Sequence, residues 1–397
     1  MRLLICAGGT GGGVYPALTV WQKLATEDVF SPGHENGLSE LAVSLSGEAE
    51  FRFLWVGSEA GMEADLVKRA GVPYREIPAA GVHGVGARAL PGNLLRLGRG
   101  YLQSVRILRE FRPDALMFTG GYVAVPMALA GSKIPALLYV PDIEPGLALK
   151  TLARFADCIA VTAEESRAYY SKHRRVVVTG YPTRPELKAW SMDQAREALG
   201  LKADLPTLLV FGGSSGARSI NRALLAVLPE LLAEMQVIHI SGRLDWPEVE
   251  AAQAGLADRP GDTSHADRYH PYPYLYEEMG AALTAADLVL SRAGASSLGE
   301  FPMFGLPALL VPYPHAWQYQ QVNARYLAQR GAAQIIQDAE LPEQLLPLVR
   351  GLMHDHARRE AMRQAMTALA CPDAARSIAR LWLGLAARQD RERIFDL

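Results

Sequence analysis

Three apolar runs in this chain end directly in glycine, and glycine in that place is suited to phosphate chemistry. Residues 3–7 run into Gly8-Gly9-Thr10-Gly11-Gly12-Gly13, residues 115–118 into Thr119-Gly120-Gly121-Tyr122, and residues 208–211 into Gly212-Gly213-Ser214-Ser215-Gly216-Ala217. A strand-to-helix turn without Cβ atoms lets backbone N–H groups close on an anion, which then sits at the positive end of the following helix. Five glycines within residues 8–13 exceed what a tight turn requires. The spacing is not the dinucleotide fingerprint: G-x-G-x-x-G fails at Val14 when read from Gly9 and at Pro16 when read from Gly11, and no Lys-Ser/Thr of a Walker loop follows. A fourth segment, Ser291-Arg292-Ala293-Gly294-Ala295-Ser296-Ser297-Leu298-Gly299-Glu300, offers another backbone-exposed helix start at its small residues. Glu300 lies in the first turns of that helix, where it suits two sugar hydroxyls or simply complements the helix dipole. After His315, the amides Gln318, Gln320, Gln321 and Asn323 suit either a neutral polyol or a solvated helix face.

The elements that hold these loops alternate. Short apolar runs at 3–7, 53–56, 115–118, 136–140 and 158–161, then at 208–211, 237–240, 288–290 and 308–311, are separated by helical patterns, the first of them from about Pro16. Continuous apolar strands between helices mean α/β architecture, with parallel sheets covered on both faces. Ligands of such sheets collect at the carboxyl ends of the strands. Each half reads as a Rossmann-like unit, with a hinge in VTGYPTRPE at 178–186. The length, 397 residues, favours two domains at roughly 100–200 residues each. The expected division is 1–178, 179–370 and a C-terminal helical segment 371–397. Residues 29–51 are polar and lack a strong period, as an insertion or long loop does, and 257–268 is a second irregular stretch.

Composition narrows the class. Hydrophobic residues make up 49% and charged residues 21%, ordinary for a globular chain, and 40 Lys+Arg against 42 Asp+Glu leave no basic field for nucleic acid. Cys6, Cys158 and Cys371 are distant and odd in number, so neither a disulfide framework nor a CxxC metal pair is expected. The opening apolar run is too short for a signal-peptide core, and Pro126, Gly131, Lys133 and Pro135 break residues 121–140 into helix, turn and strand rather than a span. No Asp-x-Asp pair stands beside the glycine loops, and His354 and His356 lie in a polar helical segment, so no metal is expected. From Arg88 to Arg112 six arginines and one acid, Glu110, alternate with leucines in a helical pattern. Such a segment suits an anionic membrane surface, although leucines facing a core would give the same pattern.

Taken in order, GGTGG before a V-x-P-A-L helix, TGGYVAVP, VTGYPTRPE, GGSSGARSIN, SRAGASSLGE and PHAWQYQQVNA resemble the MurG family nearly end to end, apart from the 29–51 insertion. These are inverting glycosyltransferases that move N-acetylglucosamine from UDP-GlcNAc to lipid I, undecaprenyl-pyrophosphoryl-MurNAc-pentapeptide, giving lipid II for peptidoglycan. The resemblance implies a GT-B fold, two Rossmann-like doubly wound parallel-sheet domains facing a cleft, with acceptor first and UDP-GlcNAc second. It also implies a C-terminal helix packed back on the first domain, and no cofactor or metal. Carried over by position, Gly8, Gly9, Thr10, Gly11, Gly12, Gly120, Gly121 and Tyr122 would meet the polyprenyl-pyrophosphate acceptor. Arg184 and Ser214 would contact the donor phosphates or lie beside them, Asn221 matches the family's Asn after its GGSxGA loop, and Ala295 would belong to the same UDP-GlcNAc site. Tyr276 would mark where backbone reads uracil, Glu300 would hold the ribose, and Gln320 and Asn323 the sugar.

Two family histidines are missing: the loop position after GGTGG is Gly13, and the position matching the first residue of the family's HEQN segment is Tyr139. Asp142 and Glu144, just past a strand end, are the replacement bases, or else loop and capping carboxylates. The substitutions leave open a related transferase with another lipid acceptor, a UDP-GlcNAc 2-epimerase, or a catalytically silent UDP-sugar or lipid-precursor binder. A lipid-linked acceptor and the 88–112 segment together place the protein as peripheral on the cytoplasmic face of the membrane.

Overall fold

The computed structural model describes residues 1–8, 11–26, 51–59, 61, 63–81, 90–173, 175–213, 216–257, 265–314 and 319–387. Residues 29–50 of the expected insertion and 258–264 of the second irregular stretch lie outside this set. The chain divides into two compact units, Met1–Pro182 with Pro372–Leu397, and Thr183–Cys371.

The first unit is a sheet of seven parallel strands in the order β3-β2-β1-β4-β5-β6-β7. The strands are β1 (Arg2–Ala7), β2 (Arg52–Ser58), β3 (Tyr74–Ile77), β4 (Ala115–Gly120), β5 (Ala136–Val140), β6 (Cys158–Val161) and β7 (Val176–Val178). The helices between them are α1 (Gly11–Ala25), α2 (Glu63–Arg69), α3 (Leu90–Phe111), α4 (Ala124–Ala130) and α5 (Leu147–Leu152). Strand β1 shows why its run is unbroken in sequence. Leu3, Ile5 and Ala7 pack with Val14 and Ala17 of α1 and with Ile378 and Trp382 of the C-terminal helix Ala374–Ala386, while Leu4 and Cys6 face Met127 and Ala128 of α4. The Trp55 indole N–H donates to the Ala7 carbonyl at 3.0 Å, pinning the end of β1 to β2.

The second unit repeats the plan with six parallel strands in the order β10-β9-β8-β11-β12-β13. These are β8 (Thr207–Phe211), β9 (Gln236–Ile240), β10 (Tyr269–Tyr272), β11 (Leu288–Ser291), β12 (Ala308–Leu310) and β13 (Ala333–Ile335). Its helices are α6 (Met192–Leu199), α7 (Arg218–Leu232), α8 (Trp246–Ala257), α9 (Met279–Ala285), α10 (Glu300–Phe304), α11 (Tyr319–Gln329), α12 (Leu341–His354) and α13 (His356–Thr367). Local signals set their ends: Ser191 and Gln194 form a reciprocal capping box on α6, and Gly200 at φ 66° closes it.

Two features differ from the sequence reading. Helix α1 begins at Gly11, not near Pro16, because the three glycines after Thr10 form its first turn and leave that turn without side chains. Strands β3, β7, β10 and β13 have no counterpart in the apolar runs, and all four are sheet edges. An edge strand is flanked on one side only, so it can be short and polar; Arg75 and Glu76 in the middle of β3 are exposed.

In each sheet the strand order reverses once, between β1 and β4 and between β8 and β11. At such a reversal the loops leaving the two central strands diverge to opposite faces and open a crevice beyond their carboxyl ends. The glycine segments lie at these two reversals.

Candidate functional site

In the first unit the loops after β1 and β4 touch backbone to backbone. Gly120 and Gly121 adopt φ 118° and 85°, and a Cβ on Gly121 would stand 2.5 Å from the Gly8 carbonyl oxygen. Only glycine meets both conditions. Thr119 Oγ1 donates to the Gly13 carbonyl at 2.7 Å, tying the first turn of α1 to the end of β4. A Cβ at Gly13, where the resembling family carries histidine, would lie 3.2 Å from the Thr119 carbonyl oxygen, so a side chain there needs a small shift. Gly11 and Gly12 line the same turn, and Tyr122 follows with about half its surface exposed, 49%. Gly9 and Thr10 lie outside the described residues.

Tyr139, at the other family histidine position, is a core residue. It is 1% exposed, and its hydroxyl meets Thr162 Oγ1 at 3.0 Å and the Gly180 carbonyl at 3.3 Å. The carboxylates Asp142 and Glu144 follow β5, the strand beside β4, and both are half-buried. Glu144 has Lys150 Nζ at 3.8 Å.

In the second unit Gly212, Gly213, Gly216 and Ala217 lead from β8 into α7; Ser214 and Ser215 lie outside the described residues. A Cβ on Gly216, at φ 78°, would be 2.2 Å from the Ser241 carbonyl oxygen, and one on Gly212 would be 2.3 Å from the Ala217 Cβ. Ala217, the N-cap of α7, supplies no side-chain hydrogen bond to the first turn. The start of this 15-residue helix therefore keeps backbone donors and the positive end of its dipole for an incoming anion.

Asn221 does not point to such an anion. It is 2% exposed, and its amide donates to the Ser241 carbonyl and to Asp245 Oδ2, each at 2.9 Å. Its Oδ1 lies 3.0 Å from His239 Nε2, and His239 Nδ1 lies 2.8 Å from the Tyr269 hydroxyl. Since Asn221 Oδ1 can only accept, His239 carries its proton on Nε2 and accepts from Tyr269 on Nδ1. Burial pushes the imidazole pKa down to about 3, against the opposing pull of Asp245, so the ring is neutral. Asp245 in turn accepts from Arg218 Nε at 2.8 Å, at the first residue of α7. This network holds the glycine loop by the Ser241 carbonyl against which Gly216 packs.

The loop after β11 is fixed by Arg292. Its guanidinium donates to the Val311 carbonyl at 3.1 Å, to Ser219 Oγ at 2.8 Å and to Asp338 Oδ1 at 2.5 Å, joining the ends of β11 and β12 to the start of α7. Ala295 follows in a buried 3-10 turn. Asn323 is fully buried and donates to the Ala293 carbonyl at 3.1 Å, while Gln320 Oε1 accepts from the Tyr313 N–H at 3.0 Å; both amides thus hold loop backbone. Tyr276 is exposed, its ring tilted against that of Tyr274 with centroids 4.5 Å apart, and its hydroxyl accepts from Arg243 at 2.7 Å.

Arg184 and Glu300 come together, Nη2 to Oε1 at 3.5 Å. Glu300 opens α10 and is 7% exposed. Burial raises its carboxyl above the ordinary range, with Arg184 opposing. A buried carboxylate beside a guanidinium can exchange that partner for ligand hydroxyls while the guanidinium turns to phosphate. Among the described residues no three His, Cys, Asp or Glu side chains gather as a metal centre needs.

Arg292 and the His239 network carry no signal of their own in the sequence. Arg292 sits inside a motif read for its small residues, and His239 is one letter inside an apolar strand. Only the folded neighbours reveal what they hold.

Comparison with known proteins agrees with this geometry. The chain matches the glycosyltransferase family 28 N-terminal domain over residues 31–161 and the glycosyltransferase family 28 C-terminal domain over residues 207–378. A protein of Roseiflexus sp. (strain RS-1) is 39% identical over 98% of this chain and 96% of its own length. One of Desulforudis audaxviator (strain MP104C) is 37% identical over 98% of this chain and 100% of its own. Both are named UDP-N-acetylglucosamine--N-acetylmuramyl-(pentapeptide) pyrophosphoryl-undecaprenol N-acetylglucosamine transferase. Among solved structures, MurG of Acinetobacter baumannii superimposes with a TM-score of 0.68 at 27% identity, over 96% of this chain and 99% of that one. A UDP-GlcNAc 2-epimerase of Neisseria meningitidis bound to UDP-GlcNAc gives 0.63 at 13% identity, over 96% of this chain and 100% of that one, a likeness of fold alone.

Proposed function

The chain belongs to glycosyltransferase family 28, and from that membership we propose that it transfers N-acetylglucosamine from UDP-GlcNAc to undecaprenyl-pyrophosphoryl-MurNAc-pentapeptide, with inversion. The observation that carries this reading is the pair of glycine-lined strand reversals, one in each unit. Both substrates contain a pyrophosphate, and each unit offers one crevice bordered by Cβ-free backbone. The second unit takes the donor: α7 and Arg184 face its phosphates, Glu300 its ribose and the half-buried Gln320 its sugar, with the buried Asn221 and Asn323 holding the loops. The first unit takes the acceptor between Gly8, Gly11, Gly12, Gly120 and Gly121.

Catalysis then needs three things from the chain. A carboxylate, Asp142 or Glu144, removes the proton of the acceptor hydroxyl as that oxygen attacks the anomeric carbon. The dipole of α7 and the Arg184 guanidinium offset the charge that builds on the departing UDP. The backbone of the first-unit loops keeps the acceptor in line. Tyr139, buried and hydrogen-bonded, is no substitute for the family histidine.

Membrane contact falls to α3. No helix among the described residues is long and apolar enough to cross a membrane. Leu94, Leu95, Tyr101 and Leu102 of α3 are exposed, Leu102 at 68%, with Arg96 and Arg99 exposed among them, while Ile107 and Leu108 are core. The amino-terminal half of the helix is thus the docking face, on the cytoplasmic leaflet where the lipid-linked acceptor is presented; Arg88 lies outside the described residues.

The test is UDP release from UDP-GlcNAc with a soluble short-chain lipid I analogue. Release that depends on the acceptor and persists in EDTA is expected. UDP-GlcNAc turned over without the acceptor, or release restored only by a divalent metal, contradicts the reading.

A further inference from the structure

Among the described residues of the first unit, Glu63 is the one buried carboxylate that the reaction above leaves without a task. It opens α2, is 1% exposed, and accepts from the Ser58 backbone N–H at 2.7 Å and from Ser58 Oγ at 2.6 Å. Ser58 ends β2, so the carboxylate closes the turn between that strand and its helix. A charge in the first turn of a short helix would ordinarily stand in solvent, as a complement to the dipole. Here it is directed inward, against glycine. A Cβ on Gly8 would lie 2.6 Å from Glu63 Oε1, and a Cβ on Gly61 would lie within 2.3 Å of both carboxylate oxygens. Gly8 is itself the floor of the next contact, since a Cβ on Gly121 would stand 2.5 Å from its carbonyl oxygen. The order of packing is therefore carboxylate, first glycine loop, second glycine loop.

We propose that Glu63 is a positioning residue for the acceptor crevice: its carboxylate, locked by Ser58, sets the height of the Gly8 backbone and through it the place of Gly121. The assignment of this crevice to the acceptor rests on the function proposed above; the packing itself does not. Two consequences follow from the geometry. A side chain at position 8 has to displace the Glu63 carboxylate from its place behind the loop, besides any need for the backbone to approach a ligand. Loss of the carboxylate leaves a gap under the loop and an unpaired Ser58 N–H, so the loop drops and the acceptor moves out of line, where a displacement of about 1 Å is worth roughly a hundredfold in rate.

The experiment combines kinetics with a double-mutant cycle. Glu63→Ala is expected to lower kcat/KM for the short-chain acceptor by roughly tenfold to a hundredfold while the UDP dissociation constant, a property of the other unit, stays as in the unsubstituted protein. Glu63→Gln, which keeps an acceptor oxygen for Ser58 and the same volume, restores most of the loss. In the cycle, Gly8→Ala lowers Tm in the parent protein and lowers it less in the Glu63→Ala background, because the atom it strikes is gone. Unchanged acceptor kinetics in Glu63→Ala, an equal loss of UDP affinity, failure of the Gln variant to rescue, or strictly additive Tm losses would each overturn the proposal. Coupling between residues 8 and 63 in a protein that transfers no sugar would uphold the buttress and contradict the transferase reading alone.

Discussion

Among single residues, the proposed donor role of Glu300 makes the sharpest predictions. Burial raises its carboxyl above the ordinary 4.5, with Arg184 opposing. The folded chain therefore keeps this proton longer than the unfolded chain does. Its contribution to stability is present below the unfolded value and is lost as pH rises through the folded one. Glu300→Gln removes that loss, and so should be more stable than the parent above this window and no more stable below it; denaturant melts across pH measure it. Nucleotide binding runs the other way, since ribose hydroxyls donate to the ionised form, and UDP affinity should fall as pH drops into the same window. Glu300→Ala should weaken UDP by about 1.5–3 kcal/mol, the worth of hydrogen bonds to a charged group; calorimetry with unchanged affinity would contradict the assignment. His239 gives a second residue-scale expectation. Held neutral by burial, with its pKa near 3, it should show the Nε2–H tautomer by nitrogen NMR at pH 5, whereas a ring titrating near 6.5 would break the network drawn from Asn221 to Tyr269. The place of Glu300 at a helix start after a run of small residues was legible in the sequence; its burial beside Arg184 was not. The roles of Asn221 and Asn323 were not legible either, because an amide that holds backbone and an amide that meets a sugar have the same letter.

At the scale of elements, the glycine loops and the central strands stood out in sequence for the same reason: they are constrained on every side. A strand covered on both faces must be apolar throughout, and a loop pressed against another backbone must lack Cβ atoms. The edge strands β3, β7, β10 and β13 lack those constraints: YREI and YHPY carry polar residues, and VVV and AQI are only three residues long. The start of α1 was misplaced because glycine is a poor helix former, yet three glycines form its first turn. The loop argument makes a paired prediction. Gly121→Ala meets the Gly8 carbonyl at positive φ and should abolish most acceptor turnover while leaving UDP binding intact; Gly216→Ala meets the Ser241 carbonyl at positive φ and should do the reverse to UDP affinity. Equal effects of both on both ligands would dissolve the assignment of one ligand to each unit. For α3, arginine near an anionic surface adds about 1 kcal/mol each. Vesicle co-sedimentation should rise with anionic lipid and drop when Arg96 and Arg99 become glutamate, and also when Leu95 and Leu102 become serine. Arg106 is a weaker probe, since its Nε donates to Glu110 at 2.8 Å. Retention of binding by both sets of variants would remove α3 from the docking surface.

For the molecule as a whole, two reversals of strand order in two parallel sheets supply two glycine-bordered crevices, and the proposed transferase, whose donor and acceptor both carry a pyrophosphate, needs two. The sequence made that plan visible through six motifs in order, because each motif is a local backbone requirement. It did not show what replaces the histidines at Gly13 and Tyr139, because a base is defined by its neighbours in space. Tyr139 is committed to the core, and Asp142 and Glu144, proposed above as the base, are half-buried just past the end of β5. If Asp142→Ala or Glu144→Ala lowers turnover by about 10²–10⁴ with UDP affinity intact, that residue is the base; if neither does, the proton leaves by another route. The central claim is the transfer itself. The protein is incubated with UDP-GlcNAc and a short-chain pyrophosphoryl-MurNAc-pentapeptide, and the product is examined by mass spectrometry and proton NMR. The account predicts an acceptor heavier by one N-acetylhexosamine residue, joined through a β-anomeric linkage, with one UDP released per product. An acceptor of unchanged mass, whether UDP-GlcNAc is left intact or converted to another sugar, would contradict it.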